Sequence, residues 1–106
     1  MKTMEGILKE ELLRLKETEK SYAREIQKLP RGSLQSKRIK GNVYLYLVSS
    51  KASKLSYRYL GGLPEGELQK LKANIALRKK YQGLLKGVRQ DIQRMTKIVH
   101  GRKRAI

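Results

Sequence analysis

The sequence predicts an α+β fold: a long helix, a three-stranded antiparallel meander and a second long helix. Three observations lead to it. Apolar residues recur in alternating steps of four and three before residue 30 and again after residue 64. Between those stretches they alternate in steps of two, with four of the six tyrosines among them. Proline and glycine mark the changes of period at Pro30-Arg31-Gly32 and Gly61-Gly62-Leu63-Pro64. At 106 residues the expectation is one domain over residues 1–106.

The first helix is expected over residues 3–28. Leu8, Leu12, Leu15, Tyr22, Ile26 and Leu29 form a heptad-like seam in which Glu19 fills one slot. The residues between them are mostly Glu, Lys and Arg, good helix formers. Glu5 and Lys9, and Glu10 and Arg14, have the i, i+4 spacing of helical ion pairs. Pro30 ends the helix, because the residue before a proline is pushed out of the helical region.

The meander is expected over residues 33–60. Val43–Val48 is the clearest strand, with Val43, Leu45 and Leu47 on one face and Tyr44, Tyr46 and Val48 on the other. Both faces are apolar or aromatic, which marks it as the central strand. In the next strand Leu55, Tyr57 and Tyr59 share a face, and Lys54, Ser56 and Arg58 share the opposite one. Leu34–Ile39 is more polar, as suits an edge. Gly41-Asn42 fits a tight hairpin turn, and Ser49–Ser53 reads as a longer, looser connection. Three strands alone are marginal, so a helix is expected to cover one face.

The second helix is expected over residues 64–99. Pro64 suits its first turn and Glu65 and Glu67 its positive N-terminal end. Leu68, Leu71 and Ile75 open an apolar stripe that resumes at Tyr81, Leu85, Val88, Ile92, Met95 and Val99, with a slip of register at Arg78. Residues 100–106 read as a basic tail. Two heptad-like helices suggest an antiparallel pair or a dimeric coiled coil. At 1.5 Å per residue the helices span about 39 and about 54 Å, so the second overhangs the first. A bare apolar overhang is costly, which points to a homodimer.

Composition narrows the function. Lys and Arg number 26 against 9 Asp and Glu, a net charge of +17. The first 30 residues are nearly balanced, whereas residues 31–60 hold seven cations and no acid. Solubility alone does not call for that asymmetry; a concentrated positive field attracts polyanions. Cysteine is absent, which removes disulfides and thiolate metal sites and is compatible with a reducing, cytoplasmic setting. No run of about 18 apolar residues is present, so no membrane partner is expected. The N-terminal residues lack the apolar core of a signal peptide.

The order of signals carries a resemblance. Leu29-Pro30-Arg31-Gly32-Ser33-Leu34, Arg38-Ile39-Lys40-Gly41, Tyr44-Leu45-Tyr46-Leu47 and Tyr59-Leu60-Gly61 resemble a family of small, uncharacterised bacterial and archaeal proteins. Those read helix, L-P-x-G-S-L, K-x-I-x-G-x-x-Y-x-Y-L, a Lys-rich strand ending Y-L/I-G, and a second helix. The resemblance covers most of the chain and implies the same fold. It brings no activity, cofactor or site residues with it. The second helix departs from the pattern, being markedly basic where relatives are expected to be Glu-rich.

Candidate chemistry is confined to binding. Lys37, Arg38, Lys40, Lys51, Lys54 and Arg58 fall in an acid-free window. Lys72, Lys79, Lys80, Lys86 and Arg89 follow on the second helix, where helical spacing sets Lys79, Lys86 and Lys97 on neighbouring exposed rows. Such a stripe can track a phosphate backbone or form an ordinary solvated face. Tyr44 and Tyr46 can stack bases, or pack against other strands and a helix. Gly83 and Gly87 are spaced G-x-x-x-G, which invites close approach by a helix or a phosphate chain. His100 is the only histidine and Asp91 the only acid after Glu67, and no paired acids, Ser/His arrangement or phosphate-cradling loop is present. The expected function is therefore non-enzymatic nucleic-acid binding by charge and shape, on DNA or RNA, with no cofactor. The alternative is a protein–protein module, such as a phage or mobile-element inhibitor that docks on a nucleic-acid enzyme, an acidic protein or a nucleoprotein complex.

Overall fold

A computed structural model describes residues 3–104. The elements run α1 (Met4–Lys28), β1 (Ser33–Ile39), β2 (Asn42–Lys51), β3 (Lys54–Tyr59) and α2 (Glu65–Arg104), an α+β arrangement. The strands form one antiparallel sheet in the order β1-β2-β3. The chain divides into two compact units: residues 3–28 with 80–104, and Leu29–Lys79. Helix α2 is continuous through Arg78, and the slip in its apolar stripe falls next to the division between the units. It continues to Arg104, past the expected end at residue 99; residues 105 and 106 of the expected tail lie outside the described residues. Among the described residues no helix is long and apolar enough to cross a membrane.

In the helical unit the seam is buried as its spacing requires. Leu15, Leu85 and Val99 are buried, and Leu8, Leu12, Tyr22, Ile26, Tyr81, Val88, Ile92 and Met95 are half-buried. The Tyr22 and Tyr81 rings meet at 5.8 Å, tilted by 45°. Glu19, the polar residue in the seam, accepts a hydrogen bond from Arg89 Nε at 3.1 Å. At the start of α1 the Thr3 hydroxyl oxygen accepts from the Gly6 backbone N–H at 3.0 Å, satisfying one of the free donors of the first turn.

In the sheet unit the first hairpin is as tight as expected but shifted, and the second is tighter than the sequence suggests. Ile39 pairs with Asn42, so the first turn is Lys40-Gly41, one residue earlier than expected. Both have positive φ, 51° and 83°, the pattern that matches the right-handed twist of two strands. The expected loose connection at Ser49–Ser53 is absent. Instead β2 runs on to Lys51, which pairs with Lys54 across a two-residue turn, Ala52-Ser53, with φ of 53° and 65°. The sequence signal fails there because neither residue is the Gly or Asn that such a turn favours. Gly32 holds φ at +116°, and a Cβ there would lie 2.7 Å from the Val48 carbonyl oxygen, so only glycine fits.

Past the sheet, Leu60 is 1% exposed, and its N–H donates to the Leu45 carbonyl at 2.9 Å. Ile75 is buried in the same unit, with Leu68 and Leu71 half-buried. The apolar stripe of α2 is thus shielded from solvent, wholly or in part, in both units.

Candidate nucleic-acid interface

Strand pairing decides which side chains share a face. Arg38 lies opposite Val43, Ser36 opposite Leu45, and Leu34 opposite Leu47. Arg58 also lies opposite Leu47, Ser56 opposite Ser49, and Lys54 opposite Lys51. One face therefore carries Arg38, Lys51, Lys54 and Arg58 around an aliphatic centre, and all four cations are exposed. Val43 on this face is 62% exposed.

The opposite face is aromatic. Gln35 lies across from Tyr46, Lys37 from Tyr44, Tyr59 from Tyr46 and Tyr57 from Val48, which puts all four sheet tyrosines on it. The Tyr59 ring lies 5.5 Å from Tyr46 and 6.0 Å from Tyr44, tilted by 51° to each. Lys37 Nζ lies 4.5 Å from the centre of the Tyr57 ring and 5.4 Å from that of Tyr46, both within cation–π range. Tyr44 and Tyr46 are half-buried, whereas Tyr57 and Tyr59 are 48% and 54% exposed. The inner pair thus packs and the outer pair meets solvent. A Cβ at Gly61 would fall 1.9 Å from the Tyr59 hydroxyl oxygen, so the ring can lie where it does only because residue 61 has no side chain.

The cations named from the sequence are therefore sorted, not pooled. Lys37 stands on the aromatic face, Arg38, Lys51, Lys54 and Arg58 on the other, and Lys40 in the first turn. Lys72 and Lys79 belong to the part of α2 in the sheet unit, and Lys80, Lys86 and Arg89 to the part in the helical unit. Arg89 is ion-paired with Glu19. With Lys86, Ile26, Leu85 and three glutamines, it lines a hollow of about 550 Å³ in that unit. A Cβ at Gly83 or Gly87 would meet nothing within 4 Å, so no close approach among the described residues requires either glycine.

Carboxylates cluster elsewhere. Glu5 pairs with Lys9 at 3.6 Å, Glu25 with Lys28 at 3.3 Å and Asp91 with Arg94 at 3.7 Å. Glu11 accepts two hydrogen bonds from the Arg14 guanidinium, one of them from Nε at 2.9 Å. That contact holds the Glu11 carboxyl below its ordinary value and raises the guanidinium. By contrast no acid occurs between Glu25 and Glu65, the span that holds the whole sheet.

Tyr57 and Tyr59 are the residues that sequence reasoning left out of the site. The alternation set them on one face with Leu55 but did not say which face. A two-residue turn at Ala52-Ser53 fixes the register and places them beside Tyr44 and Tyr46. Comparison with family models, curated proteins and solved structures finds no match for this chain.

Proposed function

We propose that this is a non-enzymatic nucleic-acid-binding protein that recognises charge and shape rather than base sequence. The observation that carries the reading is the sheet itself: Arg38, Lys51, Lys54 and Arg58 are exposed on one face, in a span without a single carboxylate side chain. Four cations that no neighbouring acid neutralises can each displace a condensed counterion from a phosphate backbone. Each phosphate so engaged adds about 0.9 to the slope of log K against log salt for a duplex. No base-reading motif accompanies them, and phosphate contacts by themselves position without specifying.

The test is fluorescence anisotropy with labelled single- and double-stranded DNA and RNA over a salt series, on protein freed of nucleic acid. A slope near −4 is expected. Replacing Arg38, Lys54 and Arg58 by Ser should make it shallower by about 2 to 3 and weaken binding to every sequence alike. Absence of binding at physiological salt overturns the reading.

A further inference from the structure

We infer that the aromatic face of the sheet is a stacking surface for unpaired bases, so that the preferred ligand is single-stranded nucleic acid. This rests on the nucleic-acid reading above and narrows it. Bases in a duplex are stacked on one another and offer tyrosine no ring face; a single strand offers one at every nucleotide. The sheet supplies the counterpart. Tyr57 and Tyr59 keep about half of their surface in solvent, and they are neighbours on one edge strand. Tyr59 is backed by the Tyr44 and Tyr46 rings, and its position depends on the absence of a side chain at Gly61. A ring backed by two others loses little freedom when a base settles on it.

Charge points the same way. Lys37 is the cation of this face, its ammonium 4.5 Å from the Tyr57 ring centre, where it can meet the phosphate that joins two stacked bases. The remaining polar strand residues of the face, Ser33, Gln35, Asn42 and Ser50, are uncharged, so the strands themselves set no carboxylate against a polyanion. Arg38, Lys54 and Arg58 project from the other side. They leave the strands on the face opposite Tyr57 and Tyr59. The two faces are therefore separable by mutation: one governs charge attraction to any nucleic acid, the other the choice of single strand over duplex.

The experiment measures binding of labelled oligo(dT) and oligo(U) of about 12 nucleotides, within the span of known single-strand sites, against a duplex of equal length. The variants are Tyr57→Leu, Tyr59→Leu and the ring-preserving Tyr57→Phe and Tyr59→Phe. The expected result has three parts. Single strands bind more tightly than the duplex. Each leucine variant weakens single-strand binding by about 5- to 100-fold and leaves duplex binding unchanged, while each phenylalanine variant binds as the wild type does. Oligo(dT) also quenches the tyrosine emission of the wild-type protein, which has no tryptophan to mask it; this readout needs no variant, should Tyr59→Leu fail to fold. Binding of duplex and single strand with equal affinity, without quenching, overturns the inference and leaves the charge reading standing. No binding to any of the three ligands overturns both.

Discussion

Substituting the two residues that join β2 to β3 tests the backbone of that turn directly. Ala52 and Ser53 both sit in the left-handed region, at φ of 53° and 65°. For an L residue other than glycine or asparagine that conformation costs about 1 kcal/mol or somewhat more. The Asn-Gly pair suits this turn, so the double substitution Ala52→Asn, Ser53→Gly removes the strain at both positions. Glycine returns about 0.5 kcal/mol of that gain through the greater freedom of the unfolded chain. The net expectation is a stabilisation of the sheet unit by about 1.5 kcal/mol. With a urea dependence of about 1 kcal/mol per molar for a unit of this size, the midpoint should rise by about 1.5 M. Tyrosine emission reports the sheet, which holds four of the six tyrosines in a chain without tryptophan. The closing pair adds a second, independent signal. Lys51 and Lys54 are directly opposite, a like-charge pair that salt relieves, so moderate salt should raise the midpoint further in wild type and variant alike. An unchanged or lowered midpoint in the double variant would show that the turn is not a left-handed pair in solution.

Two further predictions concern features outside the proposed interface. Gly32→Ala should destabilise the sheet unit by about 2 to 3 kcal/mol, because it combines a φ of +116° with a Cβ 2.7 Å from the Val48 carbonyl oxygen; a urea midpoint within error of wild type would refute the close approach. The Glu11–Arg14 contact should make the helicity of α1 pH-dependent. Because the folded carboxyl is held below its ordinary value, its contribution is complete above the ordinary carboxylate range and lost as pH falls through the lowered value. Circular dichroism of wild type and Glu11→Gln through the acid range should show a larger loss in wild type, since the other ion pairs of α1 titrate in both; identical acid limbs would count against it.

Much of the architecture was legible from period and punctuation alone. The seam residues from Leu8 to Ile26 are those the fold buries or half-buries, because charged residues separated by threes and fours leave only one face that can leave water. Even Glu19, which breaks the apolar seam, is explained by its hydrogen bond from Arg89. The turns were less legible. Lys40-Gly41 carries one glycine of the expected kind and lies one residue before the expected Gly41-Asn42; Ala52-Ser53 carries neither glycine nor asparagine, so its sequence predicts a loop. That second turn hides the aromatic cluster, because side-chain alternation fixes faces within a strand but only register fixes them between strands. Tyr57 and Tyr59 were visible as a pair from the start, yet their meeting with Tyr44, Tyr46 and Lys37 depends on a two-residue connection that propensity argues against.

The strand order leaves only β2 flanked on both sides, so β1 and β3 form the margins of the sheet. Such margins invite strands from other molecules, and charged side chains along them act as gatekeepers. Here the gatekeepers are Lys37 and Arg38 on β1 and Lys54 and Arg58 on β3, all of one sign. Mutual repulsion among these cations opposes edge-to-edge pairing of copies while they remain unneutralised. A polyanion that titrates them lifts the barrier, so turbidity should peak where nucleic-acid charge roughly balances protein charge and clear again on either side of that ratio.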